Sequence, residues 1–296
     1  MTALLLINPA SGGVARLGPD VIKDLVREHL LVAGHDLEIV EGTTPELIEV
    51  ATQSRDRFDL VLPAGGDGTV AAIAGELRHA TASMLCLPCG TVNLFCRDLG
   101  IPLDLAAALQ ACLAGSVKQV DVGLANDRAF INNLVVGAYA QFAEIRETIR
   151  SVESLSELGA AVGSALETVM NTEVNDYRLR IDGQTERTTT NTIGIFNNPV
   201  TGSLNMLPFR QSMTTGQLGI YVTEARTALD FAGVLATFAR GGVDADDAIV
   251  EIPGSSCLIS SDKGSVLYSH DGDPLEVAGT LSCRIDAASL KVLCPA

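Results

Sequence analysis

The sequence predicts a parallel α/β domain followed by a mainly antiparallel β domain. From Ala3 to Leu99, short apolar runs alternate with stretches of helical periodicity, the pattern of a parallel sheet covered by helices on both faces. From Val117 onward the texture changes to strand-like runs separated by Asn-Asp and Asp-Gly turns. The 296 residues are 47% hydrophobic and 19% charged, enough apolar material for two cores and too much for a disordered chain.

In chain order, Ala3–Ile7 is a buried strand ending at the Asn8-Pro9 turn, and Pro19–Ala33 carries Val21, Ile22, Leu25, Val26, His29 and Leu30 at helical spacing before Gly34. Leu37–Val40 is a second strand. Thr44-Pro45 opens a second helix, with Thr44 as its cap and Pro45 at the first helical position. Leu60–Leu62 is a third strand, followed by a glycine cluster and an alanine-rich helix over Val70–Arg78. Met84–Leu87 is a fourth strand, followed by a helix over Val92–Leu99. Val117–Val122 and Arg128–Ile131 read as a hairpin around Ala125-Asn126-Asp127. A long helical stretch over Tyr139–Met170, broken near Ser151–Ser156, precedes strands running from Tyr177 to Val277, with Asp182-Gly183 as an early turn.

Composition narrows the function. With 20 Lys and Arg against 36 Asp and Glu, the formal charge is −16, which argues against nucleic acid as a partner and against strong adhesion to anionic lipid. No apolar run approaches the roughly 20 residues of a membrane span. Met1–Pro9 lacks the basic start of a secretory signal, so the expectation is a soluble, cytoplasmic protein. The seven cysteines are scattered and read as reduced, partly buried thiols. Cys86-Leu87-Pro88-Cys89 is a lone CxxC without a second pair for zinc, and a redox role for it stays open.

The strongest local signal is Gly65-Gly66-Asp67-Gly68-Thr69 between a buried strand and a helix. Glycines there let backbone N–H groups approach an anion, and the helix N-terminus adds favourable partial charge. An Asp in such a loop makes sense if Mg²⁺ lies between it and a phosphate, or if it holds another loop. No GxxxxGK[ST] occurs. Gly66-x-Gly68-x-x-Ala71 fits a loose dinucleotide pattern, but the next strand runs into Pro88-Cys89-Gly90-Thr91 without the acid that would hold a ribose. A nucleoside triphosphate held by several loops remains. Asn8–Gly13 and Gly90–Asn93 follow the first and fourth strands, so all three loops fall at one edge of a parallel sheet.

Asn8-Pro9-Ala10-Ser11-Gly12, Gly65-Gly66-Asp67-Gly68-Thr69, Pro88-Cys89-Gly90-Thr91-Val92-Asn93 and Asp271-Gly272-Asp273 resemble, in order and spacing, the diacylglycerol kinase catalytic domain family, which includes bacterial soluble lipid kinases and the sphingosine and ceramide kinases. The resemblance implies a Rossmann-like nucleotide domain over residues 1–122, completed by 278–296, and a β-sandwich acceptor domain over 123–277. Arg284-Ile285 and Leu290–Leu293 would form the returning strands.

It also implies ATP and Mg²⁺ as cofactors. Asn8, Pro9, Ser11, Gly12 and one or both of Thr43 and Thr44 would contact the nucleotide. Gly65, Gly66, Asp67, Gly68 and Thr69 would cradle the phosphates and their metal, completed by Thr91 and Asn93. Asp121 would support the active site as a second acidic residue near the metal. Asp271 would be the general base toward a lipid hydroxyl such as that of diacylglycerol. The sequence departs from the family pattern at four positions: Leu94 where an Asp is common, Asp273 where a Glu is usual, and Thr215 and Gly219 where carboxylates support a structural metal in bacterial relatives.

On residues alone, Asp271-Gly272 reads first as a hairpin turn, a preference that the order of the family motifs reverses, and His270 is an alternative base. His29, His35 and His79 read as helix or surface residues. A helix over Phe142–Met170, with Ile145, Ile149, Leu155, Leu158, Val162 and Leu166 as its stripe, either lines an acyl-chain cleft or packs as ordinary core. Arg146 and Arg150, at i, i+4 spacing, are either a docking patch for transient contact with the inner membrane face or ordinary surface arginines. A homodimer is left open. Two alternatives stand: another GGDGT kinase acting on a soluble acceptor, as NAD kinases do, and an inactive nucleotide- or lipid-binding protein.

Overall fold

The computed structural model describes residues 1–32, 34–137, 174–204, 207–223, 249–271 and 273–296. The proposed acyl-chain helix, its stripe, Arg146 and Arg150 lie outside these.

The first half is built on four parallel strands, β1 (Thr2–Ile7), β2 (Asp36–Glu41), β3 (Leu60–Ala64) and β4 (Ser83–Met84), in the order β4-β3-β1-β2. Every residue of β3, and all of β1 after Thr2, is buried, as expected of strands covered on both faces. The covering helices are α1 (Gly12–Leu17), α2 (Pro19–Val32), α3 (Thr44–Ser54), α4 (Asp67–Glu76), α5 (Leu94–Asp98) and α6 (Leu105–Leu113). In α2 the i, i+4 stripe Ile22, Val26, Leu30 is fully buried, whereas Val21 and Leu31 face solvent. In α4 the alanines and glycine permit close packing: a Cβ on Gly75 would stand 2.8 Å from the Cβ of Ala129 on the following β-hairpin.

That hairpin is β5 (Ser116–Ala125) and β6 (Arg128–Phe130), turning through Asn126 and Asp127 at φ 44° and 68°, the positive pair that a type I′ turn needs. The remaining strands are β7 (Asn133–Gly137), β8 (Asn175–Ile181), β9 (Gln184–Thr190), β10 (Thr192–Asn197), β11 (Gly202–Leu204), β12 (Leu207–Phe209), β13 (Leu218–Thr223), β14 (Ile249–Gly254), β15 (Ser256–His270) and β16 (Asp273–Cys294). The main path is β14-β13-β10-β7-β15-β16-β4-β3-β1-β2.

β16 is the seam. Its first half pairs antiparallel with β15; its second half pairs antiparallel with β5, and Val292 pairs parallel with Met84 of β4. The chain end thus returns to the first sheet, where Leu290, Val292 and Cys294 join the first core. A second core gathers β6 to β16 around Phe130, Leu134, Ile195, Ile220 and Leu281.

Several elements differ from the sequence expectation. α4 begins at Asp67 rather than Val70, because Gly66 takes the extended cap conformation and the Asp67-Gly68-Thr69 triplet forms the first helical turn. α3 is capped by Thr43, not Thr44; the Glu46 carboxylate accepts the Thr43 backbone N–H and hydroxyl, both at 2.8 Å. α5 starts at Leu94 because Asn93 is left-handed at φ 54°. β4 ends at Met84, although the Leu85 N–H still reaches Val61 O at 2.9 Å. α1 and α6 were not anticipated; Asp104 caps α6 by accepting the Ala107 N–H at 2.9 Å. All seven cysteines are free and buried, and burial pushes the Cys89 thiol up to about 12, so the CxxC holds no ready thiolate.

Candidate active site

Three loops meet at the carboxyl ends of β1, β3 and β4. Asn8, nearly buried at the end of β1, donates from Nδ2 to Thr44 Oγ1 at 3.1 Å and Thr69 Oγ1 at 3.2 Å, and those hydroxyls are 3.1 Å apart. Its Oδ1 accepts the Ala10 N–H at 3.1 Å, shaping the turn that follows. Ser11 Oγ accepts the Gly66 N–H at 3.2 Å, tying the first loop to the second. Asp67 Oδ1 accepts the Leu94 N–H at 3.2 Å, tying the second to the third. Within the third, Asn93 Oδ1 accepts the Gly90 N–H at 2.7 Å and its Nδ2 donates to Gly90 O at 3.0 Å.

The glycines fall into two groups. A Cβ on Gly13 would stand 1.9 Å from the carbonyl oxygen of Cys89, and one on Gly65 would stand 2.6 Å from Thr69 Cβ. Gly13 lets the first loop close on the third, and Gly65 lets the second loop close on the first turn of α4. A Cβ on Gly12, Gly66 or Gly68 would meet nothing within 4 Å. These three leave open space before the N-terminus of α4, where backbone N–H groups favour an anion. Among the described residues no cluster of three or more His, Cys, Asp or Glu could cage a metal. A single carboxylate beside an anion cradle fits Mg²⁺ delivered with a nucleotide, which takes most of its oxygens from phosphate and water. Thr44 faces this network; Thr43 is exposed, and Pro9 and Thr91 are exposed on their loops.

Asp271 lies in the turn between β15 and β16 at φ 45°, as the hairpin reading expects, and a residue placed there also lines the cleft described below. Its carboxylate accepts N–H groups from Ile131 (3.4 Å), Asn132 (3.2 Å) and Asn133 (3.1 Å), and its own N–H donates to Asn133 O at 3.0 Å. Burial pushes the carboxyl up to about 7, opposed by these three N–H donors and by the Arg210 guanidinium. The neighbouring His270 is buried, its ring edge-on to Phe130. Asp271 and Gly68 line the same cleft, about 160 Å³ in volume, with Ala72, Asp127 and Arg128.

Asp121 differs from the metal-supporting role expected of it. It is buried, and its Oδ2 accepts Asn198 Nδ2 and the Gly216 N–H, both at 2.7 Å, while Oδ1 accepts the Ala288 N–H at 2.8 Å. With both oxygens facing donors, it is a bracket joining β5, the loop after β10, the loop before β13 and the irregular stretch of β16. Thr215 shares this cluster, accepting from Asn198 Nδ2 at 2.8 Å.

Sequence reasoning missed Asp98 and Arg210, a buried ion pair linking α5 to the residues after β12. Nothing in the spacing signals it, since the partners are 112 residues apart. Asp127 and Arg128 were read only as hairpin residues; their place in the cleft follows from α4 packing on β6.

The family model of the diacylglycerol kinase catalytic domain matches residues 2–125, and that of the YegS C-terminal NAD kinase beta sandwich-like domain matches residues 134–294. A diacylglycerol kinase of Staphylococcus saprophyticus is 31% identical over 165 residues, 54% of this chain and 50% of that protein. The chain spans about half the length of the curated relatives it matches. A solved diacylglycerol kinase structure from Bacillus anthracis superposes with a TM-score of 0.70 at 19% identity, covering 99% of this chain and 96% of the other. Yeast NADH kinase with bound NADH superposes at 0.52 and 11% identity, covering 100% and 84%. At these identities both likenesses concern the fold.

Proposed function

The chain belongs to the family in which a diacylglycerol kinase catalytic domain is followed by a YegS-type, NAD kinase-like β-sandwich domain, and from that premise we propose that it transfers the γ-phosphoryl group of ATP to a primary hydroxyl of a lipid such as diacylglycerol. The observation that carries this reading is the shared cleft: the open glycine of the phosphate-type loop, Gly68, and a carboxyl of near-neutral proton affinity, Asp271, line it together.

Asn8, Ser11 and Thr44 fix the loops, the Gly66 N–H being held by Ser11, and the open space at Gly12, Gly66 and Gly68 receives the phosphates. Mg²⁺, when bound with the nucleotide beside Asp67, offsets the charge on the phosphate oxygens. Asp271 accepts the hydroxyl proton as the new P–O bond forms, and a carboxyl near 7 is matched to that task at neutral pH. Thr91 and Asn93 complete the nucleotide side. Asp121 supports the site only through the loops it brackets.

No helix among the described residues is long and apolar enough to cross a membrane. A lipid acceptor therefore implies transient contact at a membrane surface, through a local patch that escapes the repulsion set by the −16 charge.

A second reading, phosphorylation of a soluble nucleotide alcohol, is favoured by the NAD kinase-like description of the C-terminal domain. Labelled ATP offered with diacylglycerol, a long-chain amino alcohol and NAD separates the two. Label in a lipid supports the proposal, and label in NAD alone replaces it. Tight ATP binding with label in no acceptor points to a binding protein.

A further inference from the structure

Asp271 and Arg210 grip the same peptide groups from opposite ends. Arg210 is buried, and its Nη1 donates to Ile131 O at 2.7 Å, Asn197 O at 2.8 Å and Asn132 O at 3.3 Å, while Nη2 reaches Asn132 Oδ1 at 3.3 Å. The carbonyl of Ile131 belongs to the same peptide unit as the N–H of Asn132, and that of Asn132 to the unit carrying the N–H of Asn133. Those two N–H groups donate to Asp271 Oδ1. On its other side Arg210 is held by Asp98: the backbone N–H donates to Oδ1 at 3.0 Å, Nε to Oδ2 at 2.9 Å, and Nη2 to the same oxygen. Asp98 is the last residue of α5, whose first N–H, at Leu94, donates to Asp67.

We propose that Asp98 and Arg210 are positioning residues for the phosphoryl transfer: together they fix the peptide plane that orients Asp271 and tie it through α5 to the loop carrying Asp67. This deepens the kinase reading and rests on it. A cation at the oxygen end of a peptide group strengthens the N–H at the other end as a donor, and its charge also favours the ionised carboxyl. Arg210 thereby restrains the upward push of burial on Asp271, and Asp98 moderates Arg210. The other charged or titratable groups around Asp271 are His270 on its own strand, Asp127 and Arg128 on the hairpin, and Glu76 and Arg78 on α4. All of these remain in the variants below.

The test is the pH profile of turnover. Arg210→Gln removes the cation and should move the acid limb up by about one pH unit. Turnover at pH 6.5 should then fall about tenfold while that at pH 9 stays nearer wild type and KM for ATP changes by less than about threefold. Asp98→Asn leaves the cation less neutralised and should move the limb the other way. The double variant Asp98→Asn/Arg210→Gln leaves no unpaired buried charge, serves where a single variant does not fold, and should again move the limb up. Loss by one factor at every pH, with the limb unmoved, would mean a purely structural pair and overturns the proposal.

If the wild type phosphorylates no acceptor, the kinase reading fails by itself. The Asp271 carboxyl can still be titrated by ¹³C NMR, with its signal assigned by its loss in Asp271→Asn. A midpoint that Arg210→Gln or the double variant fails to raise then overturns the inference independently.

Discussion

Gly68→Val separates binding from folding. Gly68 is the second residue of α4, its φ is not positive, and a Cβ there meets nothing within 4 Å. The fold therefore has room for the new side chain. In a helix Gly is about 1 kcal/mol less favourable than Ala and Val only about 0.6, so the change should stabilise the protein by about 0.4 kcal/mol. The space the side chain fills is the space assigned to phosphate, before the N-terminus of α4. Loss of those contacts should weaken ATP at least about 100-fold, which is about 2.7 kcal/mol. Calorimetric titration with MgATP, beside thermal unfolding of the same sample, reads both quantities. The contrast is Gly13→Ala, where Cβ and the Cys89 carbonyl oxygen would be 1.9 Å apart; that variant should lose stability and binding together. Unchanged ATP affinity in folded Gly68→Val would refute the assignment of the phosphate site.

Other perturbations follow from the same geometry. Asp271 has its carboxyl raised to about 7 in the folded state against 3.8 without the fold, so the folded state holds its proton more tightly. Protonation favours folding here. The contribution is complete below about pH 4 and is lost as pH rises to about 7, by at most about 4 kcal/mol because the residue is partly exposed. Asp271→Asn should flatten that part of the stability curve, as read by urea unfolding at pH 4.5 and 8; an unchanged slope would contradict the raised proton affinity. Asp121→Ala strands three donors in the interior and should cost about 3 kcal/mol or more, read by chemical unfolding, with any loss of turnover following the unfolded fraction. Purified, nucleotide-free protein should carry no stoichiometric divalent ion at the Thr215–Gly219 loop by elemental analysis. A fully occupied ion there would show that backbone carbonyls suffice without the family's carboxylates.

The parallel half of the fold was legible because β1 and β3 are covered on both faces and so read as unbroken apolar runs. The hairpins at Asn126-Asp127 and Asp182-Gly183 were legible because left-handed pairs select those residues. The glycine loops announced themselves by composition, but which glycines face a ligand and which face another loop depends on neighbours distant in sequence. Gly13 against Cys89 and Gly68 against open space look alike in one dimension. The same holds for Thr43 and Thr44, adjacent in sequence, one capping a helix outward and the other joining Asn8 and Thr69. Asp121 was recognised as important, but its donors come from three separate segments, so the sequence could not distinguish bracket from ligand.

If this site moves a phosphoryl group from ATP to a lipid hydroxyl with Asp271 taking the proton, removing that carboxylate must stop transfer and leave ATP binding intact. Wild type and Asp271→Asn should be incubated with γ-labelled ATP, Mg²⁺ and diacylglycerol in mixed micelles, with ATP affinity measured on both proteins. Label is expected in a lipid phosphomonoester with the wild type, at least about 100-fold less with Asp271→Asn, at equal ATP affinity. Label appearing at comparable rates with both proteins would contradict the role of Asp271, and label in no lipid alcohol would contradict lipid phosphorylation by this site.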